Sequence, residues 1–511
     1  MLRTDLIRPL QELIAAHAAE RGQHASFIDD ERSLTWAELE ARTARLAGHL
    51  RSRTDRGKPV AICMGNRVEA VESYVAVARA GNIGVFLNPS AADNELAYML
   101  EDSGAEVLIT DARQRQRTWR VAERAPAIRE TIVVERGEDD DGAASYESLL
   151  DDDPSDGPAD DLGLDEPAWM LYTSGTTGKP KGVVLTQRSC LWVVAACWVP
   201  ILGLSSDDRM LSALPLFHSY ALDLTVIAVI ASGATIRLLA RYSPKHVTET
   251  LRSEEITVFP GVPTMFQYVV EHLGDQELKP KALRLCVSAG AIMPAALTEA
   301  FERVAGVPLL DGYGITETST MVTMNWPTGA RPPGSCGLPV PGCAVRLIDP
   351  ATGRDVDPGE DGELIVRGPQ VMLGYHNRPQ ETADVLRDGW YHSGDLARSD
   401  RHGYLTITGR IKELIIRGGE NVYPAEVEQA IAEHPGVSDA AVIGKPDQAL
   451  GEIVVAFVVR GDDRLGTDDL RSFAAERLAE FKVPTNFEFI DEIPRTGSGK
   501  VMRHRLRERV E

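Results

Sequence analysis

Between residues 58 and 310, short apolar runs recur with helix-patterned stretches between them: PVAIC at 59–63, EVLIT at 106–110, AWMLYT at 168–173, ATIRLL at 234–239, TVFPG at 257–261 and LRLCVSAG at 283–290. Strands without a polar face must be covered on both sides. These runs therefore demand a mostly parallel sheet with helices packed on either face, and a helix is expected after each strand. After Asn325 the texture changes to Gly, Pro and short β-rich pieces such as AVRLID and GELIVRG, which predict a small antiparallel or barrel-like section. A last unit beginning near Arg410 has strands at AAVIG and EIVVAFVV and a helix near residues 468–480. The expected fold class is α/β: a large N-terminal domain of helix-covered sheets plus a small β-barrel section, then a small α+β C-terminal domain. The 511 residues are enough for cores that need no disulfide or metal to hold them.

Charge narrows the range of partners. Fifty-four basic residues against 76 acidic ones leave a formal charge of -22, which repels nucleic acid and anionic lipid. The six cysteines are scattered without a C-x-x-C pair, as in a reducing compartment. The first twenty residues place charges where a signal peptide needs an apolar run, so they are expected to form an amphipathic helix. The uncharged stretch 190–204 is shorter than the roughly 20 residues of a membrane span and contains Pro200, so it is read as a buried helix. A cytoplasmic protein without a membrane span is expected, its oligomeric state left open. Residues 138–166 carry no Lys or Arg and are expected to be a solvated excursion, whereas the tail 495–511 reverses sign, with six basic residues against two acidic ones.

The most informative motif is LYTSGTTGKPKG at 171–182. Its glycines let the backbone approach a ligand closely. The hydroxyls and backbone N–H groups from Thr173, Ser174, Gly175, Thr176, Thr177 and Gly178, with the charges of Lys179 and Lys181, make a phosphate cradle. It is not a Walker loop, because Pro180 follows Gly178-Lys179 and Thr173 stands where the first glycine would be. A serine hydrolase is excluded by the lack of a G-x-S-x-G elbow; CVSAG has no first glycine.

Five further motifs follow in order: PLFHSY at 215–220, DGYGITE at 311–317, YHSGDL at 391–396, GRIKELIIRGGENVYPAEVE at 409–428 and PRTGSGKVMR at 494–503. With them the chain resembles the adenylate-forming superfamily of acyl-CoA synthetases, stand-alone adenylation enzymes and luciferases. The resemblance implies that a carboxylate attacks the ATP α-phosphate, giving an acyl-AMP and pyrophosphate, and that a thiol then displaces AMP. It assigns the phosphate loop, Gly290, Ala291, Asp311, Gly312, Tyr313, Asp395 and Arg410 to the nucleotide. Within that set Tyr313 stacks on adenine, Asp311 accepts from its amine, and Asp395 takes the ribose hydroxyls. Thr316 contacts the α-phosphate, Glu317 holds Mg2+, and Lys500 bridges the substrate carboxylate and the α-phosphate. Lys412 is the implied hinge between domains 1–411 and 412–511, the latter implied to be mobile, with Gly418 and Gly419 facing a pantetheine arm. The acceptor is either coenzyme A or the phosphopantetheine of an acyl or peptidyl carrier protein.

The implied acyl pocket is lined by His218, a gating residue near the carboxylate, with Ser219, Gly261, Val262, Ser288, Ala289 and Gly290. Its apolar neighbours favour a hydrophobic or aromatic acid. Asp223 gives an alternative. It lies one helical turn beyond Ser219 inside ALDLTVIAVI, where a carboxylate needs a cation, and the amino group of a β-amino acid could supply one. A protein Arg partner or a helix-edge position would serve instead. A nucleotide-binding regulator without catalysis is the alternative from another class.

Overall fold

The computed structural model describes residues 2–137, 142–151, 157–173, 179–495 and 501–510. Two large sheets, each covered by helices, make up the first part of the chain. One has nine strands, six of them running parallel in the order Leu309–Ile315, Leu285–Ser288, Val258–Gly261, Arg209–Ser212, Thr235–Leu238 and Ala25–Ile28. The other has eight strands, with a parallel run through Pro167–Thr173, Ile83–Phe86, Pro59–Cys63, Val107–Asp111, Glu130–Val134 and Ala144–Ser145. Pro59–Cys63 and Val107–Asp111 are buried at every position, which is why their sequences show no polar alternation.

Local signals set the helices. Trp36–Arg53 starts on Thr35, whose side chain accepts from the Glu38 N–H while Glu38 reaches back to the Thr35 N–H. It packs on Val68–Arg79, a helix buried along its whole length. The carboxylate of Glu72 inside that helix is matched by Arg42 and by the Tyr146 hydroxyl, so burial does not leave it uncompensated. Tyr146 belongs to a short helix, Tyr146–Asp151, within the acidic stretch, so part of that stretch is anchored to the core.

One expectation is overturned. Among the described residues no helix comes between the strand Pro167–Thr173 and Lys181–Thr186, with which it pairs antiparallel, so the glycine-rich motif lies between two paired strands. Five other strands carry the expected helices, beginning at Val68, Arg115, Pro244, Pro263 and Ala295.

The section after Asn325 is an antiparallel five-stranded sheet containing Ala344–Ile348, Asp361–Arg367, Leu386–Arg387, Trp390–Ser399 and Leu405–Arg410. The 3-10 turn Ile411–Glu413 leads out of it, and residues 415–510 then build two small cores of their own around the hairpin Val437–Asp447 and Gly451–Arg460. Among the described residues, no helix is long and apolar enough to cross a membrane.

Candidate active site

A cavity of about 1350 Å3 lies beyond the carboxyl ends of the parallel strands of both large sheets. Asn66, Asn88 and Asp111 line it from one sheet, and Leu214, Val262 and Ala289 from the other. In open α/β sheets this is where ligands bind, because chain leaving adjacent strands diverges and leaves a crevice. The antiparallel sheet contributes Tyr391 to Asp395 and Arg410, and the outgoing turn adds Ile411 and Lys412.

Strand pairing sets the polar end. Asp395 lies directly across the ladder from Arg410, whose Nε is 2.8 Å from Oδ1. Oδ2 of the same carboxylate accepts from the Tyr313 hydroxyl at 2.5 Å. Asp395 is thus buried and held from both sides by Arg410 and Tyr313. Thr316 and Glu317 begin a 3-10 turn between Leu309–Ile315 and Thr320–Met324. Gly314 makes the turn possible, because a Cβ there would overlap the Thr320 carbonyl. Glu317 Oε1 accepts from the Tyr375 hydroxyl at 2.9 Å, and loss of solvent raises the carboxyl's pKa. Lys181 lines the same region, ion-paired with Glu381 and 5.0 Å from the centre of the Tyr375 ring.

Tyr375 was not among the residues the sequence pointed to. It comes from the two-residue strand Gly374–Tyr375, paired antiparallel with Lys181–Thr186, so the strand after the glycine-rich motif carries it to Glu317. No motif in LGYH marks it.

The implied nucleotide and acyl residues divide in two. Thr173, Lys181, His218, Ser219, Val262, Ala289, Gly290, Thr316, Glu317, Asp395, Arg410 and Lys412 line the large cavity. Lys179, Gly261, Ser288, Ala291, Gly312 and Tyr313 do not, and Asp311 opens on a separate cavity of about 280 Å3 with one carboxyl oxygen, Oδ1, buried and, among the described residues, without a hydrogen-bond partner. Gly418 and Gly419 form the two-residue turn between Ile415–Arg417 and Glu420–Val422, with φ of +61° and +89°, as a tight hairpin of this hand requires. Ser174, Gly175, Thr176, Thr177, Gly178 and Lys500 lie outside the described residues.

At the other end, His218 stands just before the helical turn Ser219–Ala221, whose three residues all line the cavity. Desolvation pushes the His218 pKa down to about 4, so the ring is neutral at physiological pH. Ser219 Oγ is 3.4 Å from Thr316 Oγ1, which ties this turn to the polar end.

Asp223 corrects the sequence reading. It does not line the cavity, it is fully buried, and among the described residues it has neither an Arg partner nor an exposed edge. Oδ1 accepts from the Trp198 indole at 2.5 Å, and burial raises its pKa well above the usual carboxylate range. The helix widens into a π-turn over Leu222–Ile227, with the Ala228 N–H bonded to the Asp223 carbonyl. The wider turn rotates a residue four positions after Ser219 off the cavity face.

Residues 14–376 match the family described as AMP-binding enzyme, and residues 426–500 its C-terminal domain. A feruloyl-CoA synthase from Amycolatopsis is 40% identical over 96% of this chain and 97% of that protein. An indoleacetate–CoA ligase from Aromatoleum aromaticum is 35% identical over 98% of both. Among solved structures, the anthranilate CoA ligase AuaEII with anthranoyl-AMP superposes with a TM-score of 0.92 at 27% identity, covering 100% of this chain and 99% of that one. The chain belongs to the AMP-binding enzyme family, and it is an acid–thiol ligase that uses ATP to activate a carboxylic acid as an acyl-adenylate before transfer to a thiol.

Proposed function

We propose that the acid is aromatic and that free coenzyme A, rather than a carrier-protein pantetheine, is the acceptor. The convergence of the Thr316 turn, the Asp395–Arg410 pair and the Ser219 turn on one cavity carries this reading. Beside Ser219 the cavity is lined by Tyr220, Phe217, Val262, Met265 and Ile315, interleaved with Ala221, Ala289, Gly290 and Gly314. Large apolar groups set between residues of little or no side chain make a slot that suits a flat ring. Burying about 120 Å2 of ring at about 25 cal/mol per Å2 provides about 3 kcal/mol of binding. The full-length likeness to a feruloyl-CoA synthase supports both parts of the reading.

In this scheme Asp395, held by Arg410 and Tyr313, takes the ribose hydroxyls, and the orphaned Asp311 Oδ1 accepts from the adenine amine, with Tyr313 stacked on the base. Gly290 and Ala291 border the nucleotide. Thr316, Lys179, Lys181 and residues 173–178 hold phosphate, and Lys500 supplies positive charge to the pentavalent phosphorus as the carboxylate attacks in line. Mg2+ fits Glu317: among the described residues no three acidic, His or Cys side chains enclose a metal, and Mg2+ takes one or two carboxylates alongside phosphate oxygens and waters. When bound, it would neutralise phosphate charge. Neutral His218 borders the acid without adding a positive charge to it. We place the hinge at Lys412, the domain boundary between 411 and 412, and the pantetheine arm beside Gly418 and Gly419. The free, mostly buried cysteines support a reducing, cytoplasmic setting.

The test is kcat/KM for coenzyme A thioester formation across hydroxycinnamic, benzoic, indole-acetic and long saturated fatty acids. A ring-bearing acid is expected to lead by about tenfold or more. A leading fatty acid, or a carrier protein preferred over coenzyme A, overturns the respective half of the proposal.

A further inference from the structure

The carboxyl of Asp223 takes no part in the chemistry above, yet it sits fully buried in an apolar segment. A buried carboxyl is costly; here burial raises its pKa, Oδ1 is hydrogen-bonded, and Oδ2 has no hydrogen-bond partner among the described residues. The Trp198 indole and the Cys190 thiol are the polar side chains acting on it. The indole N–H of Trp198, itself fully buried, needs an acceptor, and Asp223 Oδ1 at 2.5 Å provides it.

Two widened turns bring this pair together. Val194–Trp198 and Leu222–Ile227 are packed on each other, and each closes a five-residue bond, Val199 N–H to the Val194 carbonyl and Ala228 N–H to the Asp223 carbonyl. A widened turn costs hydrogen-bond geometry and is often found where function needs a side chain re-aimed. The re-aimed indole lies against Tyr220, with ring centroids 6.2 Å apart and a 35° tilt. Tyr220 lines the cavity, and its hydroxyl donates to the Val287 carbonyl at 3.1 Å. Its ring is thus backed by Trp198 and its far end tied to the sheet, leaving it no easy alternative position.

We propose that Asp223 is a positioning residue for acid selectivity: by accepting from Trp198 it fixes the indole behind Tyr220 and so sets the room available to the acyl group beside that tyrosine. This rests on the aromatic-acid reading above. It also replaces the counter-ion role, since a carboxyl that binds a substrate ammonium must reach the cavity and be charged.

The test measures kcat and KM for a series of aromatic acids of increasing bulk, with wild type, Asp223→Asn, Asp223→Ala and Trp198→Phe. An amide oxygen accepts from the indole as well as a carboxyl does, so Asp223→Asn is expected within about threefold of wild type on every acid. Asp223→Ala and Trp198→Phe are expected to raise KM for compact acids and spare bulkier ones, shifting the bulky-to-compact ratio of kcat/KM by about tenfold at unchanged KM for ATP. The double variant should shift it no further, because both substitutions release the same ring. Equal loss on all acids, or Asp223→Asn as selective a lesion as Asp223→Ala, overturns the proposal. If Asp223→Ala does not fold, an unchanged ratio in Trp198→Phe overturns it equally. Wild type inactive on every aromatic acid would instead defeat the proposed acid class, so the two failures are distinct.

Discussion

His218 illustrates how burial, more than residue type, fixes what a side chain can do here. It borders the cavity, and desolvation holds its pKa at about 4 against the ordinary 6.5 of imidazole. Its folded-state pKa is depressed, so between those two values the unfolded chain binds the extra proton. Stability contributed by the neutral ring is therefore complete above 6.5 and declines as the pH falls towards 4. A histidine-selective NMR titration is expected to place the His218 inflection near 4, and an inflection at 6.5 would mean a solvated ring. The sequence marked His218 through its motif, and Thr316, Glu317, Asp395 and Arg410 likewise. Tyr375 escaped, because it meets Glu317 from 58 residues away through a strand of two residues, too short to leave a periodic trace. Asp223 was misplaced for a related reason. The π-turn that moves it off the cavity face is a product of packing against Val194–Trp198, and i,i+4 reasoning assumes a regular helix.

The strand–turn–strand unit from Leu309 to Met324 holds Thr316 and Glu317 in place, and its register depends on Gly314. Substituting Gly314→Ala would press a methyl onto the Thr320 carbonyl and force the two strands apart. Overpacking of this kind costs about 1–3 kcal/mol of stability. A displacement of about 1 Å at the reacting groups costs about a hundredfold in rate. The expected result is a variant whose melting temperature falls modestly while acid-dependent pyrophosphate–ATP exchange falls by about two orders of magnitude. Exchange falling only in step with stability would show that the turn does not position the pair. Runs such as PVAIC could be read as strands because both faces are buried, so the composition itself carries the signal. The pairing of Pro167–Thr173 with Lys181–Thr186 could not, since a short buried strand after a glycine-rich loop reads much like the start of a helix.

Across the whole molecule, two sheets present the ends of their parallel strands to one crevice, and the antiparallel sheet closes it with Asp395 and Arg410. The chain after Lys412 builds its own cores, so this unit can be joined to the crevice without sharing its packing. Such an arrangement suits a reaction in which the site must be dry while the mixed anhydride forms and open when the thiol arrives. The chemistry requires that a carboxylate oxygen become bonded to the α-phosphorus. Turnover of an acid carrying 18O in its carboxyl group, followed by mass spectrometry of the nucleotide and phosphate products, follows that bond directly. One 18O atom in AMP and none in pyrophosphate is the expected result; label in inorganic phosphate, with ADP as the nucleotide product, would contradict it.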